Sequence, residues 1–429
     1  MKHLRALLTV FFAATLLAAC GGGSLNPATQ NAASLGAGSH AAGAVAPAAR
    51  YKSLYAFKGT PDGASPYSGL VALNGTLYGT TLNGSKNYCS GSCGGNNCYL
   101  GCGTVFSVDS TGAEHVVYNF DGNFNSGSDG SWPFAGLTLL GGTLYGTTSS
   151  AGAHQHGTVF TVTTSGTERV LYSFAGGNDG ESVEAPLIAF RGKLYGTTVY
   201  GGGTGCGGAG CGTAYQVTTG GTEKVLYAFK GGTDGMRGYA PLTVLNGKLY
   251  GATLEGGQGC GSTGCGTIFE LSTRGKEQVL YRFSNAGDGA YPNGLIAVGG
   301  VLYGTTEGGG TKNSGTFFSV TTGGTLKTLY NFLDIPDGNL PGATLIYSKG
   351  SFYGTTVGGG TAGDGTVFKI NAAGTSEKVL YSFKAGTDGS APQGPVTLFG
   401  GKLYGTTKGG GGTGCGSSQG CGTIFKVKP

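Results

Sequence analysis

From Tyr51 onward the chain alternates short runs rich in Leu, Val, Tyr, Phe and Thr with glycine-rich connections. In the stretch opening at Leu242 the runs are Leu242–Leu245, Lys248–Thr253, Thr267–Leu271 and Gln278–Phe283. β-Branched and aromatic residues bounded by turn signals predict strands. Apolar side chains fall at both parities, as in Val279-Leu280-Tyr281-Arg282-Phe283. A strand open to water on one side would alternate, so these are expected to be covered on both faces.

The runs recur. L-Y-G-T-T, with minor variation, starts at Leu77, Leu144, Leu194, Leu249, Leu302, Phe352 and Leu403, and its tyrosines are 67, 50, 55, 53, 50 and 51 residues apart. L-Y-x-F and G-T-x-F also occur seven times each. A period near 50 residues with four runs per repeat predicts the blades of a β-propeller. We call the runs A, B, C and D. A and B are joined by two residues, as in Asn74-Gly75 or Asn246-Gly247, and C and D by short turns of near-constant length, as in Ser110-Thr111-Gly112. Tight hairpins need positive φ, which Gly and Asn supply. The B–C and D–A connections vary in length, so antiparallel pairing puts constant turns on one face and variable loops on the other. The region opens with a lone D run, Leu54–Phe57, and closes with a C run, Thr423–Val427. The predicted fold is therefore all-β: a seven-bladed antiparallel β-propeller over residues 51–429, its N-terminal strand closing the last blade. An open β-solenoid is the alternative, but it would want terminal repeats with a polar outer side.

The pattern D-G-x-x-P, L-Y-G-T-T, G-G, G-T-V-F, L-Y-S-F, seen from Asp388 through Thr407 and from Gly365 through Phe383, resembles the GloVer repeat of the bacterial choice-of-anchor tandem repeat proteins. The resemblance covers nearly all of residues 51–429. It implies an exported, surface-tethered repeat protein and brings no established catalytic activity.

The first residues read as a targeting segment. Lys2, His3 and Arg5 lead into the apolar run Ala6–Leu17, too short for a bilayer span of about 20 residues. Leu17-Ala18-Ala19-Cys20 resembles the lipobox of bacterial lipoproteins, which implies a signal peptide over residues 1–19 and lipidation of Cys20. Gly21 follows where inner-membrane retention often uses Asp, so the outer membrane is the expected side of the cell envelope. Residues 20–50, Gly-, Ala-, Ser- and Pro-rich, read as a flexible tether with a reach of roughly 30 Å. The expected partners are the membrane, through the lipid, and a glycan or envelope protein, with the chain a monomer.

Composition narrows the classes. Glycine contributes 92 of 429 residues, yet 23 Tyr, 21 Phe and a mean hydropathy of zero give far more apolar surface than a disordered chain carries. The net charge is only +5, which gives no reason to expect a nucleic-acid partner. Ten cysteines besides Cys20 lie in B–C loops. Cys206 with Cys211, Cys260 with Cys265 and Cys415 with Cys421 each close a small loop, and disulfides are expected over a zinc site, which would need four converging ligands. Cys89, Cys93, Cys98 and Cys102 allow nested or consecutive pairs.

Chemistry-bearing residues are sparse, and no cofactor or metal is called for. The Asp-Gly of each D–A loop, at Asp62, Asp129, Asp179, Asp234, Asp288, Asp337 and Asp388, is either a ring of seven carboxylates able to take Ca²⁺ or a turn device; sevenfold repetition favours the turn. His154 and His156 form H-x-H without a third ligand. Glu181, Glu184, Glu255 and Glu307 sit in variable loops, where two could pair as acid and base. The largest insertions, Asn83 to Cys102 and Asp121 to Trp132, are expected to build an asymmetric rim with aromatic contacts Tyr88, Tyr99, Phe124 and Trp132 and hydrogen-bonding Asn96, Asn97 and Asp129. Three functions remain: a non-catalytic binding or scaffold module, a carbohydrate-active enzyme, and a purely structural surface protein.

Overall fold

Four antiparallel strands form in each repeat and pair in the order A-B-C-D. In blade one they are Val71–Leu73, Thr76–Thr81, Thr104–Val108 and Glu114–Asn119. The computed structural model describes residues 50–87, 101–122, 129–412, 415 and 419–429, all inside the unit Pro47–Pro429. The leader, Cys20 and the tether lie outside the described residues, as do Tyr88, Cys89, Cys93, Asn96, Asn97, Cys98, Tyr99 and Phe124. Among the described residues no helix is long and apolar enough to cross a membrane.

Seven such sheets make a seven-bladed antiparallel β-propeller. The first strand, Tyr51–Ala56, pairs with the last, Thr423–Val427, so the N-terminus completes the seventh blade. A strands of neighbouring blades touch one another and therefore surround the axis, while D strands form the periphery. At the junction of blades seven and one, Thr397 Oγ1 donates to the Leu70 carbonyl and Thr406 Oγ1 to that of Ser68 at 2.8 Å.

The repeated motifs are the inter-blade contacts. The phenylalanine ending L-Y-x-F in one blade packs against the aromatic of G-T-x-F in the next, with centroids 5.0–5.4 Å apart from Phe57–Phe106 round to Phe383–Phe425. The glycine of L-Y-G-T-T makes room for that ring: a Cβ on Gly251 would lie 2.5 Å from Phe269. Its last threonine pairs with the threonine of G-T-x-F, as Thr253 with Thr267 at 2.8 Å. Together these bury side chains on both faces of every sheet.

Mixed parity has a second cause. All seven C–D pairs carry a register shift at one place, illustrated by Phe106↔Val116 followed by Val105↔Tyr118. The skipped residue is Val117, and in other blades the first residue of L-Y-x-F. A bulge turns the following side chains over, so the tyrosine and phenylalanine of this motif reach partners that strict alternation would deny them.

Candidate functional site

The peripheral end of each D–A loop is built around its Asp-Gly aspartate. In all seven repeats the tyrosine of L-Y-x-F donates its hydroxyl to that carboxylate, at 2.5–2.9 Å. The carboxylate also accepts a backbone N–H from the loop, at 2.8–3.3 Å. Six of the seven following glycines take φ between 103° and 132°; Gly180 does not. These aspartates sit at the ends of the outermost strands with their oxygens occupied, so the geometry is that of a turn device. Asp129 is one of them, bonded to Tyr118 and the Asp121 N–H.

The other rim residue described, Trp132, is half-buried against the core of blades one and two, and its backbone N–H donates to the Cys102 carbonyl at 2.9 Å. Cys206–Cys211, Cys260–Cys265 and Cys415–Cys421 are disulfides, with Cα separations of 5.3, 5.1 and 5.5 Å. Cys102 is disulfide-bonded as well. The bridges lie against D–A loops: a Cβ on Gly231 would be 2.8 Å from Cys206 Sγ. They stiffen the loop face.

Three residues after each aspartate the backbone enters the left-handed region without glycine. Ser65, Trp132, Ser182, Arg237, Tyr291, Leu340 and Ala391 have φ between 52° and 62°. Each donates its N–H to the residue preceding the glycine of G-T-x-F in the previous blade, as Arg237 does to the Cys211 carbonyl at 3.0 Å and Ser182 to that of His156 at 3.1 Å. Such outliers persist only where the surroundings fix them. The outcome is a ring of seven positions with six kinds of side chain on the loop face, which single-repeat reading missed; its signal is one freely varying position inside a fixed motif.

Two residues further on, four residues before strand A begins and so on the axis side of the loop face, at what we call the mouth of the axis, stand Tyr67, Phe134, Glu184 and Tyr239. Tyr67 and Phe134 meet edge to face at 5.2 Å, and Lys408 Nζ lies 5.0 Å from the Tyr67 ring. Across blades three and four, Arg237 Nη1 binds Glu255 Oε1 at 2.8 Å while its guanidinium lies 5.7 Å from the Tyr200 ring. Ser182 Oγ donates to Glu184 Oε1 at 2.9 Å. His156 Nδ1 lies 3.3 Å from Glu181 Oε1, and Glu181 pairs with Tyr200 across a two-residue ladder. His154 is exposed. Among the described residues no group of three or more His, Cys, Asp or Glu converges as for a metal.

Burial tunes these carboxyls. It pushes Glu184 up to about 7, the Ser182 hydroxyl opposing it, and Glu307 also to about 7. Both still touch solvent. Burial raises Glu255 too, against Arg237. The Tyr239 hydroxyl is raised by burial and then by Glu184, Tyr200 and Glu255, with Arg237 opposing, so these side chains all lie within electrostatic reach of that hydroxyl. Of the four carboxyls singled out in the sequence, Glu181, Glu184 and Glu255 are thus brought to one sector.

The sevenfold packing and loop geometry agree with comparison to known families. The profile described as Gloeobacter/Verrucomicrobia repeat matches residues 33–209, 88–318 and 294–429. The chain belongs to this family. Residues that recur in the repeat are the ones seen above at blade contacts, whereas the ring residues and the carboxyls of the mouth are particular to individual blades. No curated protein matches the chain in sequence. Among solved structures, the nidogen/laminin complex is similar with a TM-score of 0.39 and 15% identity over 62% of this chain and 84% of the other. A luciferin-regenerating enzyme is similar with a TM-score of 0.43 and 15% identity over 67% and 87%. Similarity of this degree transfers no function.

Proposed function

We propose that this repeat protein is a binding module of the bacterial cell envelope, anchored in the outer membrane through a lipidated Cys20, and that the mouth of its axis on the loop face recognises a glycan. The observation that carries this reading is the mouth itself: aromatic faces at Tyr67, Phe134 and Tyr239 beside hydrogen-bonding Glu184, Arg237 and Lys408. Sugars are held by such pairing of ring faces with polar groups fixed by a rigid frame. The chain enters the propeller at the turn face, where Tyr51 pairs with Val427 and Arg50 accepts from the Lys428 N–H.

The test is an oligosaccharide array probed with the full chain in detergent micelles. Binding that is lost in Phe134→Ala and Tyr239→Ala, with melting unchanged, supports the reading; capture of an envelope protein with no oligosaccharide bound would replace glycan by protein. A second reading is a carbohydrate-active enzyme, in which Glu184, hydrogen-bonded by Ser182 and raised by burial to about 7, would donate and accept the proton. Release of reducing ends or unsaturated sugars, abolished in Glu184→Gln, would establish it.

A further inference from the structure

We propose that the side-chain cluster at the junction of blades three and four, built from Glu184, Arg237, Tyr239 and Glu255, takes a primary ammonium group, which makes an unacetylated amino sugar the ligand class; this rests on the glycan-binding reading. The first observation is an orphaned acceptor. Glu255 is 6% exposed, and while Oε1 holds Arg237, its Oε2 is buried with no hydrogen-bond partner. An acceptor left unpaired in a protein interior is costly, typically by more than a made hydrogen bond returns, so a ligand donor at this oxygen gains what the fold leaves unsatisfied.

The second observation is charge. Arg237 balances Glu255, but Glu184 faces the same space, and its hydrogen-bond partner there is the neutral Ser182 hydroxyl. The other pair nearby is His156 with Glu181, Nδ1 lying 3.3 Å from Oε1. A sugar hydroxyl would supply the missing donor and leave the second carboxyl uncompensated. A uronic acid would add a third carboxyl. An ammonium group supplies both donor and charge, and the rings of Tyr200 and Tyr239 give it the aromatic flank that cations favour. Binding a cation beside Glu184 lowers that carboxyl from its raised value, so at a pH where the amine is already protonated association releases a proton from Glu184. Burial and the Ser182 hydroxyl act on Glu184 itself, and the Tyr239 hydroxyl is the group on which it acts together with Tyr200, Arg237 and Glu255.

Calorimetry of the full chain in detergent micelles, with a glucosamine tetramer, its N-acetylated counterpart and a galacturonate tetramer, tests this. The free amine is expected to bind at least about tenfold more tightly than the acetylated sugar, as a charge-assisted bond exceeds a neutral one. At pH 5.5, where the amine is protonated and Glu184, raised to about 7, still holds its proton, the apparent enthalpy should change with buffer ionisation enthalpy in the sense of proton release. Glu255→Gln should lose about tenfold in affinity; Glu184→Gln, which keeps an acceptor for Ser182 and serves if the first variant fails to fold, should abolish the proton release. Equal affinity for amine and acetylated sugar, or amine binding that neither variant changes, overturns the ammonium site and leaves the glycan reading standing. Binding of no tetramer, together with a blank array, overturns both.

Discussion

Five blade junctions carry a glutamate at the start of strand D: Glu114, Glu168, Glu223, Glu277 and Glu377. Each has its Oε1 buried without a hydrogen-bond partner and stands near the Tyr–Asp pair of the preceding blade. Burial, then the aspartate, pushes Glu114 and Glu168 up to about 8 and Glu223, Glu277 and Glu377 to about 7. The charged groups around them include Asp62 and Lys58 at Glu114, Asp129 and Asp121 at Glu168, and Asp234, Lys230 and Arg282 at Glu277. The folded state therefore binds protons that the unfolded chain, titrating near 4.3, releases. Stability from these groups is complete below the unfolded value, falls as pH rises, and is lost once pH passes 7 to 8.

For Glu223 the rise from 4.5 to about 7 sets a ceiling of roughly 3 kcal/mol. The group is only half-buried, and screening by water reduces this to about 1 kcal/mol. The five sites lie at different junctions and should add, giving about 5 kcal/mol. With roughly 2 cal/mol/K per residue over some 380 residues, that is about 6 °C in Tm. Scanning calorimetry of the wild type and of E114Q/E168Q/E223Q/E277Q/E377Q at pH 3.5 and pH 8.5 reads it out. The two should melt together at pH 3.5, below the unfolded value, and the variant about 6 °C higher at pH 8.5. Parallel Tm–pH curves, or a variant less stable in alkali, would refute the reasoning.

Deleting residues 51–58 removes the strand that closes blade seven and bares an edge, so the truncated protein should associate on a sizing column; a monomer melting at the parental temperature would count against closure by this strand. Asp288→Ala breaks bonds from the Tyr281 hydroxyl, the Ser284 N–H and hydroxyl and the Ala286 N–H and should cost about 2–3 kcal/mol by calorimetry. Millimolar Ca²⁺ should leave the wild-type Tm unmoved, and a calcium-dependent rise absent in the variant would restore the carboxylate-ring reading. Gly251→Ala forces a methyl to within 2.5 Å of Phe269 and should lower stability by about 1–3 kcal/mol, whereas unaltered melting would show that the ring can yield. Replacing Cys206 and Cys211 by serine should cost about 2 kcal/mol, read as a Tm drop near 3 °C.

The blades were legible because each makes the same local choices seven times. Asn246-Gly247 and its equivalents announce the A–B hairpins, and the lone run at Leu54 announces closure. The short cysteine loops announce their pairing because five or six residues leave each cysteine one neighbour. Less visible was the Tyr–Asp bond. Its spacing of seven residues holds for Tyr172 with Asp179 and for Tyr281 with Asp288, but an insertion stretches it to eleven between Tyr118 and Asp129. Whether the hydroxyl reaches the carboxylate depends on the bulge one residue earlier, which no hydropathy pattern announces. The raised glutamates were hidden for a different reason: the aspartate that perturbs Glu223 belongs to the blade before it.

The mouth of the axis shows why a site can hide in a chain so regular. At the ring position the backbone is held from both sides: Arg237 donates its N–H to Cys211 and its carbonyl accepts from the Leu254 N–H at 3.0 Å, and Ser182 does the same with His156 and Val199. Once main-chain bonds fix the turn, the fold asks little of the side chain, and Ser, Trp, Arg, Tyr, Leu and Ala all occur there. Glu181, Glu184 and Glu255 stand out in the sequence only as carboxyls in variable loops. Their meeting follows from ring order, which brings the loop entering blade three, the loop entering blade four and the B–C loop of blade four side by side. The seven constant contacts hold the frame, and the positions they leave unconstrained are where recognition can differ from blade to blade.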